Sequence, residues 1–97
     1  MKSKQFGIHI KNLREAKKIP QRIVAHALNI DTSTLSKMEL GERQISISKV
    51  KPLADILKID YKELQVMYIS EKVMIDFEKQ PYLKEAINHL IKELSKQ

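Results

Sequence analysis

The chain has 97 residues, 42% of them hydrophobic, which is enough for one modest core and leaves little room for a deep enzyme cleft. It has no cysteine, which excludes disulfides and thiolate metal sites, and no apolar run approaches the ~20 residues of a membrane span. The net charge is +6 and uneven: residues 1–51 carry 11 Lys+Arg against 4 Asp+Glu (+7), and residues 52–97 carry 7 against 8 (−1), as in a chain with one polyanion-binding face.

Two glycines and three prolines leave the chain nearly unbroken in helix-forming sequence, and an all-α fold is expected. The first helix is predicted from Ser3 to Lys18, with Phe6, Ile10, Leu13 and Ala16 as its inward stripe. Pro20 stops it and suits the first turn of a second helix, Gln21 to Leu28, which faces Val24, Ala25 and Leu28 inward. Asn29 tolerates the left-handed conformation that ends helices, and Asp31 is an N-cap for a third helix from Thr32 to about Leu40, closed by Gly41. In this helix Leu35 and Met38 face inward. Ser46 or Ser48 is predicted to cap a fourth helix that runs to Lys58, burying Val50, Leu53, Ala54 and Leu57, with Pro52 in its first turn. Asp60 caps a fifth, with Leu64 and Met67 inward. After Tyr68 an amphipathic stretch through Val73, Met74 and Phe77 ends at Gln80-Pro81. A last helix, Tyr82 to Ser95, carries Leu83, Ile87, Leu90 and Leu94 at alternating steps of four and three. The chain therefore divides into residues 1–68, a helix-turn-helix domain, and residues 69–97, a helical extension and candidate dimerisation element.

Two short helices joined by Asn29-Ile30-Asp31 carry the functional signal. Ala25 is small where a second helix must cross, and Ile30 is an apolar plug in the turn. This is a helix-turn-helix arrangement, whose second helix projects its first residues outward. The ordered set Ile19-Pro20-Gln21, Val24-Ala25, Leu28-Asn29-Ile30, Leu35-Ser36-Lys37-Met38-Glu39 and Gly41-Glu42-Arg43 resembles the lambda-repressor-like family, also called Xre-type or Cro-type. Phe6-Gly7 with Ile10, Leu13 and Arg14 matches its first helix, and Ala54, Leu57, Ile59 and Leu64 match its fourth helix and the start of its fifth. The resemblance covers about residues 5–68. It implies a five-helix bundle that binds operator DNA, usually as a dimer. Asn29 departs from the glycine that is commoner at its position.

Thr32, Ser33, Ser36 and Lys37 form the outward face of the third helix. Short hydroxyls bond base edges, the Thr32 methyl can touch a thymine methyl, and Lys37 suits guanine acceptors or a phosphate. The plain alternative is solvated polarity with local capping. Gln21 opens the second helix, its backbone N–H toward a phosphate, and its side chain matches the family's glutamine that touches phosphate and base. Arg22 is a phosphate candidate beside it. Arg43 and Gln44, in the loop after the third helix, suit the DNA backbone, unless Arg43 only pairs with Glu42. Arg14 and Glu39 match family positions that form a buried ion pair, a structural role.

One recognition helix reads few base pairs, so a dimer on a two-fold site is expected, paired through the Leu83–Leu94 stripe with Val73 and Phe77. The competing arrangement is that this segment caps its own bundle. The leading reading is a transcriptional repressor or controller. The alternative is an antitoxin-type module that binds a partner protein through residues 69–97 as well as its own operator. His9, His26 and His89 show no ligand spacing, so no metal or other cofactor is expected, and no nucleophile with its base points to an enzyme. Met1 to Phe6 lacks a signal-peptide core, and a cytoplasmic location is expected.

Overall fold

The computed structural model describes residues 5–97, and the predicted start of the first helix at Ser3 lies outside them. The described residues form α1 (Gln5–Ala16), α2 (Gln21–Ala27), α3 (Thr32–Glu39), a short 3-10 turn (Ile47–Lys49), α4 (Val50–Leu57), α5 (Tyr61–Phe77) and α6 (Leu83–Leu94), with no strand among them.

Four consecutive helices end in the same way. After α1, α2, α3 and α4 the chain turns through one residue of positive φ: Lys18 (57°), Asn29 (58°), Gly41 (78°) and Lys58 (56°). The amide that follows reaches back to the carbonyl five residues earlier: Ile19 to Arg14, Ile30 to Ala25, Glu42 to Lys37 and Ile59 to Ala54. This is the Schellman closure, and at three of the four ends the residue after the left-handed position is an isoleucine packed on the core. Two of the left-handed residues are lysines, which must carry a Cβ in a region where it crowds the following carbonyl. Lys58→Gly is expected to raise the unfolding free energy by up to about 1 kcal/mol, read from urea melts, because glycine holds that conformation without strain.

Side chains add further closures. Asp31 accepts the Thr34 amide at 2.7 Å, and Asp60 accepts that of Glu63 at 3.1 Å, so both helix starts follow the expected caps. The start of α4 does not. Ser46 and Ser48 lie against one another at 2.9 Å instead of capping, a 3-10 turn intervenes, and Lys49 occupies the N-cap position. Lys49 Nζ donates to the Leu28 carbonyl at 2.8 Å, and Lys17 Nζ donates to those of Leu57 and Lys58.

Ile10, Val24, Leu28, Leu35, Val50, Leu53 and Leu57 are the centre of the core, with Phe6 and Tyr68 in edge-to-face contact, ring centres 5.2 Å apart. Two stripes differ from expectation. In α1, Ala16 is exposed and the buried face holds Gly7 and Arg14. In α5, Met67 is exposed and the buried face is Leu64, Tyr68 and Glu71. The Tyr68 hydroxyl donates to the carbonyl of buried Ile45, which ties the loop after α3 to α5.

Glu71 caps a helix from a distance. Its two carboxylate oxygens accept the Phe6 amide of α1 at 3.0 and 3.1 Å. Burial raises its pKa from the ordinary 4.5, against the pull of the bonds from the Phe6 and Gln5 amides. Folding therefore favours the protonated form, and the stability tied to Glu71 is present below pH 4.5 and lost as pH rises through its folded-state pKa. Asp31 behaves in the opposite sense: hydrogen bonds from Thr34 and Ser33 lower its pKa from 3.8, so its contribution is present above pH 3.8 and lost on further acidification. Urea melts of wild type and Glu71→Gln from pH 7 to 4.5 are expected to show wild type gaining on the variant as pH falls. A constant difference would show that Glu71 does not titrate there.

The α6 helix stands apart. No residue of it is buried, and Leu83 alone of its apolar stripe is half-buried, with Ile87, Leu90, Ile91 and Leu94 exposed by 39–63%. In the described structure α6 does not cover its own bundle, whereas Glu71 of the same extension holds the start of α1. The radius of gyration is 15.0 Å, above the roughly 12.5 Å of a fully compact chain of this length, as an outstanding helix requires.

Candidate nucleic-acid interface

The α2–turn–α3 unit sits on the core through Val24, Ala25, Leu28, Leu35 and Met38, all buried, with Ile30 packed against the core from within the turn. Ala25 is 2% exposed, and α2 packs against α3. Asp31 fixes where α3 starts and therefore which residues of its first turns face outward.

On that outward side Thr32, Ser33 and Lys37 are exposed, and Ser36 is half-buried one turn from Thr32. Ser33 Oγ donates to Asp31 at 3.1 Å, so this hydroxyl is partly used in the cap. Arg22 is exposed on α2. Arg43 and Gln44 are exposed in the loop that follows α3. Arg43 is near enough to Asp31 to help lower its pKa, and Gln44 accepts weakly from Lys72 at 3.4 Å. Six of the expected contact residues, Thr32, Ser33, Ser36, Lys37, Arg43 and Gln44, thus occupy α3 and the loop that leaves it.

Gln21 is placed differently from a free surface glutamine. Its Nε2 donates to Ser36 Oγ and to Glu39 Oε1, both at 3.0 Å, and its Oε1 accepts from Ser36 Oγ at 3.3 Å. Glu39 in turn holds Arg14: Arg14 Nε donates to Oε2 at 2.7 Å, Nη2 to Oε1 at 3.1 Å, and Nη1 to the Ile19 carbonyl at 3.0 Å. The two side chains are 10% and 2% exposed, and the Glu39 bond holds the Arg14 guanidinium above its ordinary pKa range despite burial. Arg14 of α1, Glu39 and Ser36 of α3 and Gln21 of α2 are thus one connected set. Residue types and spacing show the ion pair. They do not show that Gln21 and Ser36 join it, because an i to i+15 contact across a turn leaves no periodic trace. Glu71 was also missed. Its signal is a carboxylate on the stripe set by Leu64 and Tyr68, where only apolar residues were sought.

No described helix is long and apolar enough to cross a membrane. Residues 10–64, from within α1 to the first turn of α5, match the model of the helix-turn-helix family. No curated protein matches the chain. Among solved structures, the restriction-modification controller protein C.AhdI from Aeromonas hydrophila is 32% identical, with a TM-score of 0.57 over 64% of this chain and 90% of that one. The chain belongs to the lambda-repressor-like helix-turn-helix family of DNA-binding regulators.

Proposed function

We propose that this protein is a transcriptional repressor or controller, of the restriction–modification controller kind, that binds a two-fold operator as a dimer. One observation carries the reading: Thr32 and Ser33, at the start of α3, and Lys37, in its last turn, are exposed on a helix whose other face is locked into the core. In this reading Thr32, Ser33, Ser36 and Lys37 meet base edges in the major groove. Arg22, Arg43, Gln44 and the main-chain N–H of Gln21 meet the phosphates and set the register. Arg14 and Glu39 hold α3 at its angle.

Residues 69–97 supply the second copy. The stripe of half-buried Leu83 and exposed Ile87, Leu90 and Leu94 covers two heptads, and α5 adds Val73, half-buried, and Phe77, 51% exposed. Sedimentation is expected to show a concentration-dependent dimer that Leu90→Glu disrupts. A monomer at high concentration would give this face to a partner protein, as the antitoxin-type reading requires.

The test of function is selection from a pool of random duplexes, over a salt series, with Thr32→Ala/Ser33→Ala/Lys37→Ala as control. A two-fold symmetric site is expected, lost in the triple variant. If Arg22 and Arg43 of both protomers each neutralise a phosphate, log K falls against log salt with a slope of about −4. Weak, salt-sensitive binding with no enriched sequence would refute the regulator reading.

A further inference from the structure

We propose that Ser36 presents only a hydrogen-bond acceptor to the DNA, and that it reads the exocyclic amine of an adenine or a cytosine in each half-site. Gln21 is the positioning residue that sets this polarity. The inference rests on the operator-binding reading above and extends it to one residue's chemistry.

A serine hydroxyl has one proton to give and two lone pairs, and by itself it can rotate to suit any base. Ser36 is not free to rotate. A carboxylate only accepts, so Glu39, already holding Arg14 through both oxygens, must receive an N–H from Gln21. That bond decides which end of the Gln21 amide is nitrogen. Its second N–H then points at Ser36 Oγ at 3.0 Å, and its oxygen lies 3.3 Å from the same atom. Amide and hydroxyl close a ring: Gln21 fills one lone pair of Ser36 and takes its proton. One lone pair remains, on a half-buried residue one turn from exposed Thr32.

In the major groove, adenine N6 and cytosine N4 carry donors, whereas guanine O6, thymine O4 and the phosphates only accept. An acceptor-only Ser36 fits the two amines and cannot bond the carbonyls or a phosphate. The charge of Arg14, 25 positions before Glu39 in the chain, thereby helps choose a base through Glu39, Gln21 and Ser36.

The experiment uses the full-length chain and the site obtained from random duplexes. Within that site each adenine is replaced in turn by purine, and each cytosine by 2-pyrimidinone, which lack only the exocyclic amine. At one base per half-site, amine removal and Ser36→Ala are each expected to weaken binding by roughly fivefold, and the two together no further. Gln21→Met, which frees the hydroxyl, is expected to bring a guanine or thymine at that base to within about twofold of the amine-bearing one, since a free hydroxyl donates as readily as it accepts. Loss of fold alone would lower affinity for every sequence equally and leave that preference intact. Additive losses at every amine, or an unchanged base preference in Gln21→Met, would overturn the assignment while leaving the regulator standing. Failure to enrich any site would overturn both.

Discussion

Arg14→Ala is expected to lower the unfolding free energy by about 3–5 kcal/mol, the cost of leaving a buried charge without its partner. The Glu39 side chain is 2% exposed, and the arginine supplies two charge-assisted bonds to it, at 2.7 and 3.1 Å. After truncation only the Gln21 amide remains to solvate the carboxylate. The Ile19 carbonyl at the end of α1 loses its donor as well. Domains of this size have only about 5–15 kcal/mol in hand, so urea melts should show a large fall in the midpoint. The double replacement Arg14→Met/Glu39→Leu is expected to recover most of the loss, because two apolar groups of similar volume carry no desolvation penalty. It would not restore DNA binding to the same degree, since Gln21 and Ser36 lose the carboxylate that orients them. A loss below about 1 kcal/mol in Arg14→Ala would mean that the pair behaves as an exposed salt bridge, and that water reaches Glu39.

How far the chain could be read in advance depends on how local each signal is. The turn between α2 and α3 was legible because all its parts are sequence neighbours: Asn29 in the left-handed conformation, Ile30 behind it, and Asp31 bonded to Thr34. Lys18-Ile19 and Lys58-Ile59 close α1 and α4 in the same way, but lysine carries no turn signal, and only the isoleucine after it marks the position. Stripe reading counts apolar residues, and so it chose Ala16 and Met67 over Arg14 and Tyr68, polar residues buried because each has a partner across the fold. The start of α4 was misread because two serines that suit a cap bond one another instead. At the site, the exposed face of α3 follows from helical phase alone. The links from Gln21 to Ser36 and Glu39 join elements whose relative placement is a property of packing, which no window of sequence contains.

Gly7→Ala separates the local rule from the packed structure most sharply, because the two predict opposite signs. Gly7 lies inside α1, where helix propensity alone makes alanine better by about 1 kcal/mol. In the folded chain, however, a Cβ at this position would stand 2.0 Å from the carbonyl oxygen of Met38 and 3.2 Å from its carbon. Those are backbone atoms of α3, so no side chain can swing aside, and α1 and α3 must move apart. Overpacking of this kind costs about 1–3 kcal/mol where side chains can yield, and here the upper end is expected, for a net loss of about 2–3 kcal/mol in urea melts. The displacement acts on α3 itself, at Met38, two residues from Ser36 and next to Glu39 of the Arg14–Glu39 pair. Operator affinity should therefore fall even at temperatures where the variant is fully folded. A stabilised Gly7→Ala, with affinity unchanged, would show that α1 and α3 are not in backbone contact at Gly7 and that the ion pair alone sets the angle of α3.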